Sequence, residues 1–310
     1  MIVVTGSLAF DYIMNFKGDF KDHINPDKAH VINLSFLVGN LKKEKGGTAG
    51  NIAYSLGLLK EPVTIVSAAG HDFNEYRKYL KKVGVNTLKI KIHKNDFTAR
   101  AYILTDLKNN QITSFYPGAL KYTKSLKIAN SKPDLAVIAP DEPESMNNFV
   151  IECQDREIPY LYDPGMQLPS LRDTYLRQGI KKAKILIGND YEIGLIKNRL
   201  NFSEKDFLDF VEILIITLGE KGSIIKTKNK EYFIKPSKPG RIADPTGAGD
   251  AYRAGFLKGY LAGFDLQTCG QMGSLTACYA IEKYGTTNHT FSLDGFRKRY
   301  KQNYNLDLKL

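Results

Sequence analysis

The sequence predicts a three-layer α/β/α fold with a mostly parallel central sheet and a small second β-sheet acting as a lid. Three observations carry this expectation. Short apolar runs alternate with helix-like stretches along most of the chain, the rhythm of a parallel sheet wrapped by helices. The apolar runs are continuous rather than alternating, as strands covered on both faces require. Two extended regions, at about 12–45 and 88–118, break the rhythm, and pairing between them would make a separate sheet over a cleft.

Taken in order, the expected strands are Ile2–Thr5, Val63–Ala68, Leu135–Ala139, Tyr160–Tyr162, Ile185–Ile187 and Leu214–Thr217. Between them the spacing of apolar residues predicts helices at Ala49–Leu59, Asn74–Lys82, Ser145–Asp155, Leu171–Lys182 and Lys205–Val211. Two short strands follow, Ser223–Lys226 and Tyr232–Ile234, and the last third reads as helices over 247–263, 266–284 and 293–303. The 88–117 region alternates, with a turn at "KNN". No repeat, low-complexity run or linker interrupts the chain, so residues 1–310 are expected to form one domain with its lid.

Composition narrows the function classes. No apolar run reaches the roughly 18 residues of a membrane span, and the start "MIVVTGSLAFDYI" reads as a buried strand rather than a signal peptide. Cys153, Cys269 and Cys278 have no CxxC spacing, which suggests reduced thiols and a cytoplasmic protein. The five histidines form no metal-binding pattern. The net charge of +11 comes from lysines scattered along the chain beside acids. A solvated basic surface is the expected meaning, with no nucleic-acid or membrane partner, since no nucleic-acid-binding signature is present.

The chemistry concentrates in "DPTGAGD", residues 244–250, at the mouth of an apolar helix. Gly247, Ala248 and Gly249 let backbone N–H groups converge where a helix start leaves them without partners and adds partial positive charge. Such a turn is an anion site. Asp250 in the first helical turn can accept a proton from an attacking hydroxyl, while the turn holds the oxygens of a transferring phosphoryl group. The plain alternative is a glycine-rich turn with an acid favoured by the helix dipole. There is no Walker A motif and no GxGxxG.

"DPTGAGD" together with "GGTAGN" at 46–51 resembles the PfkB or ribokinase-like family of sugar and nucleoside kinases. The resemblance spans essentially the whole chain, in the order "GSLAFD", the di-glycine motif, N-x-x-E at 189–192, then GAGD. Pro245 stands where the family often has Thr, a change that leaves the turn intact. The resemblance implies a ribokinase-like fold, an ATP-dependent phosphotransferase with an alcohol acceptor, and Gly47 and Asn51 facing the substrate. Thr48 is a candidate helix cap. Asp11, just beyond the first strand, can accept two hydrogen bonds from a vicinal diol. Asn189 and Glu192 match the family's N-x-x-E, where the acid orders Mg²⁺ through water; a capping box explains the same residues. Thr217, Gly219 and Gly222 of "TLGEKG" resemble the nucleotide loop, and Asn288 would border adenine. Asp163 of "YDPGMQ" either lines the cleft or caps a turn. Asp244 matches the acid that holds a monovalent cation, K⁺, beside the anion turn.

"GSLAFDYIM" with "PDKAHVINLSF" resembles the adenosine or nucleoside kinase branch. Phe36, Tyr102, Phe115 and Tyr116 supply aromatic faces that could sandwich a purine or pack the lid against the sheet. The expected reaction is therefore transfer of the ATP γ-phosphate to the 5′-hydroxyl of adenosine or a related nucleoside. A sugar kinase of ribose, fructose or ketodeoxygluconate type is the alternative on the same scaffold; a non-catalytic nucleotide- or nucleic-acid-binding protein lies outside that class. The expected assembly is a monomer or a homodimer through the lid.

Overall fold

The computed structural model describes residues 1–23, 34–108, 110–128 and 132–310. In chain order its strands and helices are β1 (Ile2–Thr5), β2 (Ala9–Phe16), β3 (Val38–Gly46), α1 (Thr48–Leu58), β4 (Val63–Gly70), α2 (Asn74–Lys82), β5 (Ile90–His93), β6 (Ala99–Thr105) and β7 (Gln111–Tyr116). Then come β8 (Leu135–Ile138), α3 (Pro143–Asp155), β9 (Tyr160–Tyr162), α4 (Asp173–Ile180), β10 (Ile185–Asn189), α5 (Asp190–Leu200) and α6 (Glu204–Phe210). The chain closes with β11 (Ile213–Thr217), β12 (Ser223–Lys226), β13 (Glu231–Ile234), α7 (Ala248–Leu261), α8 (Leu266–Ile281) and α9 (Leu293–Tyr304).

Nine strands form the main sheet in the order β13-β12-β11-β10-β9-β8-β1-β4-β5. Every pairing from β5 across to β11 is parallel, and β12 and β13 add an antiparallel edge. Alternation along β1 shows why its run is wholly apolar. Ile2 and Val4 join the core beneath α1, α2 and α7, whereas Val3 joins the core beneath α3, α4, α5 and α6. All four residues of β1 are buried, so neither face can carry a polar residue cheaply. Because β4 lies on one side of β1 and β8 on the other, the connections diverge there. Such a switch point opens a crevice at the C-terminal ends of the strands.

The second sheet has the order β3-β2-β6-β7, joining the two irregular regions as expected. Its extent differs from the expectation. β2 starts at Ala9, and β5 leaves the region altogether to pair in parallel with β4, Ser67 opposite Ile90. An edge strand of the main sheet is half solvated, so its burial alternates as a lid strand's would, and the pattern alone does not separate them. The 88–98 stretch is thus not part of the small sheet. Part of the expected lid, residues 24–33, and Asn109 of the "KNN" turn lie outside the described residues. The turn's neighbours are held by Asp106, which accepts N–H groups from Lys108 and Asn110. α5 is a helix that the periodicity did not predict. Its start is secured by a capping box between Asn189 and Glu192. Among the described residues no helix is long and apolar enough to cross a membrane. The three cysteines are free and buried, and burial pushes each thiol up.

Candidate active site

A cavity of about 870 Å³ opens where β1, β8, β9, β10 and β11 end, beneath the small sheet. This is within the roughly 300–1,000 Å³ usual for small-molecule sites. It gathers Asp11, Gly47, Asn51, Phe115, Asp163, Asn189, Glu192, Thr217, Gly219, Gly222 and the 247–250 turn, residues dispersed over more than two hundred positions. Asn288 and Asp244, also singled out by sequence, lie elsewhere. Asn288 does not line the cavity; its amide donates to Glu44 Oε2 at 2.9 Å and to the Tyr284 carbonyl at 2.8 Å. Asp244 stands behind the turn and accepts the N–H groups of Thr246 (2.9 Å) and Gly285 (3.0 Å). It clips the start of the motif to the segment following α8.

Asp250 is the centre of the constellation. It sits in the first turn of α7, opening onto the cavity but otherwise surrounded by protein. Asn51 Nδ2 donates to its Oδ2 at 2.8 Å. Asn51 is itself fixed, because the Thr286 hydroxyl lies 2.7 Å from its Oδ1. That contact presents the amide nitrogen, rather than the oxygen, to Asp250. Burial pushes the Asp250 carboxyl up to about 6; Arg253 and the Asn51 hydrogen bond oppose the rise, and Asp11 and Glu192 add to it. A carboxyl near 6 is ionised at neutral pH yet basic enough to take a proton.

α7 begins at Gly247 with φ 82° and no side-chain cap. Only glycine adopts that conformation readily. Ala248 N–H makes a long bond of 3.3 Å to the Pro245 carbonyl. The first-turn donors thus meet the cavity with the positive end of the dipole behind them.

The opposite wall is the inner face of the small sheet. Its register places Asp11 beside Ala101, and Ala101 beside Phe115, so an acid and an apolar strip share one row. Asp11 belongs to β2 rather than to a loop. Burial raises its carboxyl to about 6, helped by Asp244 and Glu44. Of the four aromatic residues that could sandwich a base or pack the lid, Phe115 alone lines the cavity. Phe36 packs on Phe16, Phe20 and His23, Tyr102 stacks on Tyr12, and Tyr116 donates to Asp96. For Tyr102 and Tyr116 alternation settles this, since successive strand residues point to opposite faces.

Gly47 lines the cavity, but its glycine is required by the protein's own backbone. A Cβ there would lie 2.6 Å from Ser7 O and Ala9 N, at φ 87°. Thr48 is not the cap of α1; Gly47 occupies that place, and the Thr48 N–H goes to Ser7 Oγ at 3.1 Å. Asn189 and Glu192 form the capping box and also border the cavity.

Two residues escaped the sequence reading. Thr286, which orients Asn51, lies in "GTTN" just before Asn288 and carries no local signal. Arg253 was detectable as a cation three residues after Asp250 in an otherwise apolar stretch. It is buried, with Nε 2.6 Å from Asp163 Oδ2.

Charge constrains what can bind. The lining carries four acids, Asp11, Asp163, Glu192 and Asp250, against one Lys or Arg among the described residues, Arg253. A polyphosphate could enter only against backbone donors, Arg253 and a cation arriving with it, leaving Asp250 to face a hydroxyl. That is the requirement of an ATP-dependent phosphotransferase acting on a small alcohol. The chain belongs to the family described as pfkB family carbohydrate kinase, whose sequence model matches residues 2–292. It is 36% identical over 289 residues to a nucleoside kinase of Methanocaldococcus jannaschii, covering 92% of this chain and 91% of that one. Among solved structures, a nucleoside kinase of Burkholderia thailandensis in complex with inosine matches with a TM-score of 0.91 and 34% identity over 100% of both chains. The same kinase in complex with ADP-inosine matches with a TM-score of 0.89 and 35% identity, covering 100% of this chain and 98% of that one.

Proposed function

We propose that this protein is a nucleoside kinase that transfers the γ-phosphate of ATP to the 5′-hydroxyl of adenosine or a related nucleoside. The observation that carries the reading is Asp250, oriented by Asn51 at the uncapped start of α7 and open to the cavity. Asp250 takes the hydroxyl proton. The backbone of Gly247, Ala248 and Gly249 receives charge developing on the phosphoryl oxygens. Asp11 accepts the ribose diol, while Ala101, Ile103 and Phe115 offer the base an apolar surface. Thr217, Gly219 and Gly222 border the nucleotide from the β11 side, with Asn189 close by. The small sheet acts as the lid, and its uncovered edge is where two copies would pair if the protein is a dimer.

Mg²⁺ fits this arrangement as a companion of the phosphates. Among the described residues no group of three or more His, Cys, Asp or Glu side chains forms a metal cage. Mg²⁺ commonly keeps several waters and uses one or two carboxylates plus phosphates. Glu192, one oxygen of which accepts the Asn189 N–H, would order those waters. The bound ion would offset phosphate charge. A monovalent cation such as K⁺ would lie by Asp244, next to backbone carbonyls.

The similarity to the inosine-bound kinase supports a nucleoside over a bare sugar, as does the apolar strip beside Asp11. ADP formation measured with adenosine, inosine, cytidine, ribose and fructose tests the choice. Nucleosides should be turned over with a kcat/KM at least tenfold above the sugars. Turnover confined to ribose or fructose would replace this reading with the sugar-kinase alternative.

A further inference from the structure

Beyond balancing charge on the wall, Arg253 takes no part in the reaction proposed above, yet it is the one Lys or Arg side chain on the cavity wall among the described residues. It lies three residues beyond Asp250 on α7, so the two project from the same side of the helix. Its Nε forms an ion pair with Asp163 Oδ2 at 2.6 Å, without the alignment of a hydrogen bond, and Asp163 lines the same cavity. Only 8% of Arg253 and 1% of Asp163 are exposed, and the second carboxylate oxygen of Asp163, Oδ1, has no hydrogen-bond partner. Arg253 Nη1 lies across Gly249: a Cβ on that glycine would sit 2.7 Å from it. Gly249, unlike Gly247, has no positive φ. Its backbone therefore does not require glycine, and the missing side chain serves to admit the guanidinium.

A buried ion pair is poor evidence for stabilisation, because desolvation offsets much of the attraction. Its place is more telling. Asp163 binds one edge of the fork, and the planar guanidinium has further donors to offer. Those donors lie beside the backbone N–H groups proposed to receive the phosphoryl oxygens.

We propose that Arg253 is a catalytic residue that donates from its guanidinium to the γ-phosphoryl group during transfer, with Asp163 as the residue that positions it. The inference rests on the kinase reading of the same site. As the acceptor hydroxyl gives its proton to Asp250, its oxygen forms a bond to the γ-phosphorus. The bond from that phosphorus to the bridging oxygen breaks, and ADP leaves. Arg253 forms no covalent bond; it meets the charge on the non-bridging oxygens, which the acidic wall would otherwise repel.

The test measures kcat and KM for Arg253→Ala, Arg253→Lys and the double variant Arg253→Gln/Asp163→Asn, which removes both charges and so leaves no orphaned carboxylate. Thermal melting checks that each is folded. Loss of a donor to a developing oxyanion typically lowers kcat by about 10²–10³-fold. That loss is expected for Arg253→Ala and for the double variant, with the nucleoside KM changed less than about threefold by the same reasoning. Added guanidinium ion should restore part of the Arg253→Ala rate, which a purely structural role would not allow. Arg253→Lys keeps the charge without the fork and should fall between. A folded double variant with wild-type kcat, or a lysine variant indistinguishable from wild type, would overturn the proposal. Inactivity of the wild-type protein with every alcohol tried would instead defeat the kinase reading, so the two failures are separable.

Discussion

Two of the helices that start at this cavity start alike. α1 begins at Gly47 and α7 at Gly247; both glycines have positive φ, neither provides a side-chain cap, and both line the same space. Their first-turn donors meet different fates. At α1, Thr48 N–H bonds to Ser7 Oγ and Ala49 N–H to Ser7 O, both at 3.1 Å. At α7, among the described residues, Ala248 N–H makes only the long bond to Pro245, and a carboxylate stands beside it. The first start is a joint that fastens α1 to the β1–β2 connection. The second retains its capacity for an anion. A glycine-led helix start thus becomes a site only when no neighbour satisfies it, and here the deciding neighbour, Ser7, is far away in sequence.

The largest expected effect tests the α7 side. Asp250→Asn keeps shape, and its side-chain oxygen can still accept from Asn51, so the fold should survive. Loss of the proton acceptor should lower kcat by roughly 10²–10⁴-fold. ATP affinity, followed by calorimetry, should stay level or rise, because a negative charge has been removed near the phosphates. Wild-type turnover would mean that the α7 start is a joint as well.

The α1 side should respond in stability. Gly47→Ala places a methyl group against Ser7 O and Ala9 N, backbone atoms that cannot swing aside, at a φ unfavourable to alanine. Overpacking and backbone strain together should cost roughly 2–5 kcal/mol, measured by denaturant unfolding. A Gly47→Ala variant as stable as wild type would break the distinction drawn here, since it would leave Gly47 free for a role toward substrate alone.

Much of this organisation was legible in the sequence, and the exceptions share a cause. Strands such as Ile2–Thr5 and Ile185–Ile187 are visible because burial on both faces leaves an uninterrupted apolar run. The 244–250 motif is visible because a glycine-led helix start is a local backbone property. β5 was misplaced because the edge of a large sheet and a strand of a small one alternate alike. For Tyr102 and Tyr116 the choice between a ligand and the lid's own packing stays open in the sequence, which does not say which face of an irregular sheet looks inward. Thr286 bonds to Asn51 across 235 positions, a contact no short motif encodes. For the same reason Asn288 was singled out in the right segment, two residues from the side chain that reaches the site.

The pH dependence of turnover sharpens the contrast at lower cost to the protein. The groups facing Asp250 are Asn51, Arg253, Asp11, Glu192 and, through Arg253, Asp163. Burial holds Asp250 and Asp11 up at about 6 each, and both must be ionised in the proposed reaction. kcat/KM should therefore rise from pH 5 to 7 and level off above, steeper than one proton alone would give. Stability runs the opposite way. The folded state binds these protons more tightly than the unfolded chain, whose carboxyls titrate near 4. Their contribution is fully present below about pH 4 and is lost as pH rises through 6. An acid limb near pH 4 would place Asp250 in open water rather than in the desolvated position described.

The smallest expected effect bears most directly on why the two helix starts differ. Ser7→Ala removes the hydroxyl that accepts the Thr48 N–H but leaves the Ser7 carbonyl that accepts the Ala49 N–H. The loss should resemble that of a helix cap, about 1 kcal/mol, read as a lower denaturant midpoint with unchanged slope. One donor at α1 would then be free toward the cavity, as those of α7 already are. If an unsatisfied amide were sufficient to make an anion site, the variant should bind ATP or inorganic phosphate more tightly than wild type. No such gain is expected, because no proton acceptor and no guanidinium flank that amide; Asp250 and Arg253 both belong to α7. A second, tighter phosphate isotherm in Ser7→Ala would show instead that the free donors alone distinguish the two starts, and that the side chains around α7 act only after binding.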